Sequence, residues 1–317
     1  MRDIPIQVLG DVWHNRDAVL DQIRQCVGED GIRFVINTEG PSLWALGIVD
    51  AIQNSIKDIG VNDDQIWIDC WHNPVETIPF HRAYKPIASH FFWRSITYRD
   101  APKLPTTTVA PLAFFVGRLT LERAVMLWQV TQKWATQVMI SLMHQSNQHY
   151  FDVDQVKEPW IDRDQQASFL AWVRSCPVPS ITGHSIRDQY FGDHNTNRDL
   201  VAYYDHFHIE LVCETYCLGN TFFPTEKTVR PISQGKPIIV YGPKNFLSRL
   251  RNLGFRTWGD FWDESYDMLA EHDRWRAIKT VVHDLLTSKT YLDPGLRQIS
   301  QHNVEVLDDM IRKYKPL

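Results

Sequence analysis

No apolar run in this chain approaches the roughly 20 residues needed to span a bilayer. The opening "MRDIPIQVLGDVWHN" also lacks the apolar core of a signal peptide. No Asn-x-Ser/Thr sequon occurs. The 5 cysteines, Cys26, Cys70, Cys176, Cys213 and Cys217, are odd in number and scattered, so they read as buried thiols and not as a disulfide framework. A reducing cytoplasm is the expected location. The formal net charge of −5 leaves no global basic field for a polyanion, although a local basic groove on an acidic protein remains compatible with it. P-loop, GxGxxG and GxSxG signatures are missing, as are internal repeats, low-complexity tracts and heptad runs.

What is present is a globular composition, 44% apolar and 22% charged, with 12 tryptophans that suit a core or a stacking surface. A length of 317 residues allows two domains of ordinary size. "IPIQVLG", "IRFVINTEG" and "DQIWIDCW" read as strands, separated by the helical patterns "RDAVLDQIRQCVG" and "PSLWALGIVDAIQNSIKDIG". That alternation predicts a parallel α/β sheet. A proline- and aromatic-rich stretch over 72–108 interrupts it. "VAPLAFFVG", "TQVMISLM", "FHIELVCE" and "KPIIVYG" then read as strands, with helices at "LTLERAVMLWQVTQKW", "RDQQASFLAWVRSC", "TEKTVRPISQG" and "PKNFLSRLRNLG". From about residue 263 the pattern is almost entirely helical. Two Rossmann-like halves divided near residue 105, with a helical tail, are the economical architecture, and ligands in such sheets bind beyond the carboxyl ends of the strands.

Several residues fall at those ends. Glu39, in "NTEGPS", closes a predicted strand, where a carboxylate against apolar walls suits a general base. It reads equally as an acid at a helix start, with Ser42 as cap. Arg118 and Arg123 flank the end of "LAFFVG" and the start of the next helix, where a guanidinium can chelate phosphate; each also reads as a surface arginine. Glu214 ends "FHIELVCE", and Thr225, Glu226 and Lys227 open the following helix. Thr225 has the chemistry of an N-cap. Lys227 is a cation in a first helical turn, against the macrodipole, which points to an anion there. A diphosphate held by Lys227 and free helix N–H groups is the expectation, with Glu214 or Glu226 accepting from a ribose or base. Asp152-x-Asp154 has the spacing of a metal-diphosphate clamp, and "HFH" at 206–208 lacks the further ligands of a zinc site. No metal is expected.

These residues occur in an order that resembles the α1,3-fucosyltransferase family (glycosyltransferase family 10). "FVINTEGPS" is similar to the family's "ESP" element, and "SITYRDAP" at 95–102 to its Thr-Tyr-Arg stretch. "CETYCLGNTFFPTEKTVRPISQGKPIIVYG" resembles its donor-binding motif. Gly40 stands where that family has a serine, and Thr215-Tyr216 where it has Asn-Ser. "LRNLGFRTWGDFWDESYD" resembles instead glycosyltransferase-like proteins of phages and marine microbes. The resemblance implies a GT-B fold, two Rossmann-like domains facing a central cleft. Residues 1–105 would form the acceptor-side domain and 106–290 the nucleotide-sugar domain, with a helix at 291–317 packing back on the N-terminal domain. It further implies an inverting, metal-independent glycosyltransferase without cofactor that moves a sugar from a nucleotide-diphosphate sugar, GDP-sugar favoured, to a hydroxyl acceptor. Glu39 would be the catalytic base. Lys227 and one of Arg118 or Arg123 would hold the diphosphate, while Glu214, Thr225 and Glu226 complete the donor pocket.

Two other readings stay open. A phage-type DNA glycosyltransferase, acting on a hydroxymethylated base with a UDP- or GDP-sugar in a host cytoplasm, needs a basic, aromatic-lined surface. "HFFWRSITYRDAPK" is the acceptor-side candidate, with Trp93, Arg94, Tyr98, Arg99 and Lys103; it also reads as a packed aromatic lid. A non-catalytic nucleotide- or glycan-binding protein would have no need of Glu39.

Overall fold

The computed structural model describes residues 1–9, 12–36, 43, 44, 46–70, 78–84, 98, 103–105, 109–117, 119–142, 161–175, 200–215, 217–219 and 222–314. The chain divides into two compact units. One comprises Met1–His90, Tyr216–Phe223 and Pro243–Phe246, the other Phe91–Thr215, Pro224–Gly242 and Leu247–Leu317. Both are α/β with parallel sheets, compatible with Rossmann-like folding.

In the first unit β1 (Arg2–Ile6) is followed by a short antiparallel pair, β2 (Val8–Leu9) and β3 (Val12–Trp13). Helix α1 (Arg16–Arg24), β4 (Ile32–Ile36), α2 (Ile48–Lys57), β5 (Ile66–Cys70) and β6 (His81–Tyr84) complete it. The main sheet runs in chain order, β1-β4-β5-β6. Ile4, Phe34 and Ile68 are cross-strand neighbours, none of them exposed. They belong to one apolar cluster with Val19 and Ile23 of α1 and Ile48 and Ile52 of α2, each such buried side chain contributing about 1.5–3 kcal/mol. The residues between them alternate to the opposite face, as the period of 2 dictates. There Asp3, Arg33, Trp67 and His81 form one row across all four strands. Arg33 holds Asp3 with two bonds of 2.9 and 2.5 Å, and Trp67 stacks on His81 at 5.3 Å.

The second unit contains β7 (Ala110–Val116), α3 (Leu121–Trp134), β8 (Val138–Leu142), α4 (Gln166–Ser175) and a 3-10 turn (Val201–His206) leading into β9 (Phe207–Cys213). Helix α5 (Glu226–Ser233), β10 (Ile238–Tyr241), α6 (Phe246–Asn252), α7 (Glu271–Ser288) and α8 (Gly295–Tyr314) follow. The apolar runs in β7, β9 and β10 are nearly continuous and buried over most of their length, the pattern of strands covered on both faces. Helix α5 stops where Gly235 adopts φ +63°, a conformation glycine reaches without strain, and Lys236 N bonds back to Pro231 O at 3.0 Å. Helix α8 lies within this unit, where Asn303 clamps the Arg256 backbone with bonds of 2.7 and 2.8 Å. Among the described residues, no helix is long and apolar enough to cross a membrane.

The strand order is β10-β9-β7-β8. From β7 the chain moves outward to β8, then returns to place β9 on the other side of β7. The winding therefore reverses between β7 and β9. Just beyond the carboxyl ends of two such strands, the chains leave in opposite directions and open a crevice.

Candidate functional site at the strand-order reversal

Five of the residues singled out in the sequence lie together at that reversal. Arg123, in the first turn of α3 after β7, is only 3% exposed. Its Nη2 donates to Cys213 O at 3.3 Å and Glu214 O at 3.0 Å, across the reversal and onto the end of β9. Glu214 continues the β9 ladder, its N–H bonding Tyr241 O at 3.0 Å.

The Glu214 side chain is fully buried. Oε1 accepts from Thr225 N at 3.1 Å and from the Thr228 hydroxyl; Oε2 accepts from the Thr225 hydroxyl at 2.5 Å and Thr215 N at 3.2 Å. Four donors on one carboxylate leave it well satisfied without a ligand. Thr225 is the N-cap of α5, as its chemistry predicts, accepting from Lys227 N at 3.3 Å. Its carbonyl takes Thr228 N and Val229 N. The first turn of α5 thus has its N–H groups largely engaged by protein, which corrects the expectation of free helix donors for a diphosphate.

Lys227 Nζ donates to Glu226 Oε1 at 2.6 Å and Thr215 Oγ1 at 2.9 Å. The anion that offsets its unfavourable place on the macrodipole is therefore Glu226. Burial would raise the Glu226 carboxyl, but the charge and hydrogen bond of Lys227, its own backbone N–H and Arg230 hold it down to about 2. An ammonium has three donors, and two are used. The Lys227 side chain is 13% exposed, and its third N–H has no partner among the described residues.

Behind this rim lies an ion cluster that sequence reasoning missed. Arg230, one turn along α5, donates from Nε to Tyr204 Oη at 2.7 Å and from Nη2 to Glu210 Oε1 at 2.8 Å. Tyr204 in turn donates to Glu210 Oε2. All three are at most 2% exposed, and the guanidinium also lies 5.6 Å from the Phe115 ring centroid. Burial raises the Glu210 carboxyl against the pull of Arg230, and raises the Tyr204 phenol as well. Burial opposes the charge on Arg230, but Tyr204 and Glu210 outweigh it and lift its pKa. The available signal was Glu210 itself, an acid in the middle of the buried strand "FHIELVC".

The acceptor-side candidates divide. Tyr98 is 4% exposed and belongs to an apolar cluster with Phe115, Met139, Tyr204 and Phe207. Lys103 bonds Val201 O at 3.2 Å and Gln234 Oε1 at 2.6 Å, and lies 5.2 Å from the Tyr204 centroid. Both are engaged by the protein core. Glu39, Trp93, Arg94, Arg99, Arg118, Asp152 and Asp154 lie outside the described residues. His208 packs against Tyr291 at 5.4 Å. Cys26, Cys213 and Cys217 are buried free thiols. Among the described residues no group of three or more His, Cys, Asp or Glu is placed to hold a metal ion.

Comparison with family models, curated proteins and solved structures finds no match to this chain. Function must therefore be argued from the crevice itself.

Proposed function

We propose that the protein is a GT-B glycosyltransferase, inverting and metal-independent, that transfers a sugar from a nucleotide-diphosphate donor, GDP-sugar favoured, to a hydroxyl acceptor. The observation that carries the reading is Lys227, an ammonium whose third donor has no partner among the described residues, at the strand-order reversal where parallel α/β sheets bind their ligands. It is joined there by Arg123, Glu214 and Glu226, from segments about 90 residues apart.

In this reading Lys227 donates to the diphosphate and stabilises the charge that develops as the bond to the sugar breaks. Thr215 and Glu226 hold the ammonium in place. Glu214 and Thr225 act behind it, fixing the start of α5 to the end of β9. Arg123, bound to two carbonyls, shapes the crevice wall, and Arg118 is assigned the arginine contact to phosphate. Glu39 takes the proton from the acceptor hydroxyl as it attacks the anomeric carbon from the face opposite the diphosphate. Tyr98, turned into the core, and Lys103, whose ammonium is held by Val201 O and Gln234 Oε1, weigh against a DNA acceptor gripped by that stretch.

Titration calorimetry with GDP, UDP, CDP and dTDP in EDTA tests the donor site. One nucleotide should bind, and Lys227→Ala should weaken it roughly 10- to 100-fold, the loss of a charge-assisted hydrogen bond. Absence of binding by every nucleotide overturns the reading. Glu39→Gln should abolish transfer while sparing donor affinity; full activity in that variant removes Glu39 from the mechanism. A protein that binds the nucleotide yet never turns over donor would be a binding protein instead.

A further inference from the structure

Away from the crevice, α3, α7 and the turn before α4 enclose an open groove of about 470 Å³, within the range that small ligands occupy. Three cations line it, Lys133 at the end of α3 and Arg276 and Lys279 on α7. Arg276 is paired with Asp273 at 3.0 Å, an exposed ion pair of little energetic consequence. Lys133 lies over the Trp134 ring, 5.0 Å from its centroid, a cation resting on an indole and not on a carboxylate.

Lys279 is the informative member. It is part-buried, and its ammonium has no hydrogen-bond partner among the described residues. Among the described residues the only carboxylate lining the groove is Asp162. Burial lowers the Lys279 pKa; Asp162 opposes that, while Arg276 and Lys133 add to it. The macrodipole accounts for Lys133, in the last turn of α3. It does not account for Lys279 in the middle of α7, set beside two like charges with part of its hydration removed. Such an arrangement is relieved by an anion that bonds several of the cations at once. Elsewhere in the lining Gln132, Gln165 and Thr280 offer hydrogen bonds while Trp128 and Trp134 present indole faces, which suits a ligand body with polar and apolar parts.

We infer that this groove is a binding site for a small phosphate-bearing molecule, held by Lys133, Arg276 and Lys279. The site is separate from the Lys227 crevice and does not depend on the transferase reading.

The test is titration with inorganic phosphate and, separately, glycerol 3-phosphate at low ionic strength, followed by calorimetry and ³¹P line broadening. Wild type, Arg276→Gln/Lys279→Gln, Lys279→Arg and Lys227→Ala are compared. The double variant changes side chains that reach solvent, and its circular dichroism confirms folding. Saturable binding by wild type, weakened about tenfold or more in the double variant, is expected from the loss of charge-assisted bonds. Lys279→Arg should retain it, and the binding component lost in the double variant should persist in Lys227→Ala, which reports phosphate bound at Lys227 separately. Tighter binding of glycerol 3-phosphate identifies an organic phosphate ligand; equal binding identifies the free anion. Undiminished affinity in the double variant overturns the proposal. So does loss in Lys227→Ala alone, or no saturable binding by wild type at about 1 mM ligand.

Discussion

The Thr225 hydroxyl donates to the Glu214 carboxylate at 2.5 Å and accepts from Lys227 N at 3.3 Å, so one side chain both caps α5 and fastens it to the end of β9. Thr225→Val removes both bonds and leaves a buried carboxylate oxygen short of a donor. The expected cost is about 1–3 kcal/mol, read as a lower urea midpoint, and Thr225→Ser should recover most of it. An unchanged midpoint for Thr225→Val would mean that the fastening contributes nothing to stability.

Arg230→Met should destabilise the protein by about 3–5 kcal/mol, because it strands the buried Glu210 carboxylate and Tyr204 phenol. Combining it with Glu210→Gln removes the stranded charge and should cost less than Arg230→Met alone. If the two changes add, Glu210 and Arg230 are not coupled, and the cluster reading fails in a double-mutant cycle.

Two groups should each make stability rise with pH, in separate windows. The folded protein holds Glu226 at about 2 where its ordinary value is 4.5, so its contribution is present above pH 4.5 and is lost as pH falls toward 2. Lys236 is lowered from 10.5 to about 8, chiefly by burial, with its ammonium on Phe207 O at 2.8 Å. The unfolded chain then binds more protons between those values, so this group makes stability rise from pH 8 to 10.5. Differences between wild type and Glu226→Gln, and between wild type and Lys236→Met, isolate each slope. A flat difference in either window refutes that assignment.

Asp267 receives Leu247 N at 2.9 Å and Ser248 N at 3.0 Å, capping α6 from a distant turn. Asp267→Ala should cost about 1 kcal/mol, typical of a lost N-cap. Hydrogen exchange should report it at the first amides of α6, and native protection there would disprove the capping role.

Much of the local structure was legible in the chain itself. Apolar and β-branched runs predicted β1, β4, β7, β9 and β10, because burial writes itself into the local choice of side chains. Thr225 was readable as a cap, since the capping bond spans two residues. Lys227 also has an internal anion, Glu226, the preceding residue, which the reading of its first-turn charge left unnamed.

What the sequence by itself determined is therefore the parallel α/β class, the order of most strands and helices along the chain though not β6 within the 72–108 stretch, and the Thr225 cap, all set by interactions over a few residues. Tertiary structure alone decided the strand order β10-β9-β7-β8, the reach of Arg123 across 91 positions to Glu214, and the burial of Arg230 against Glu210 and Tyr204. Those choices depend on which strands pair after long crossovers, and a pairing between distant segments leaves no periodicity in either one.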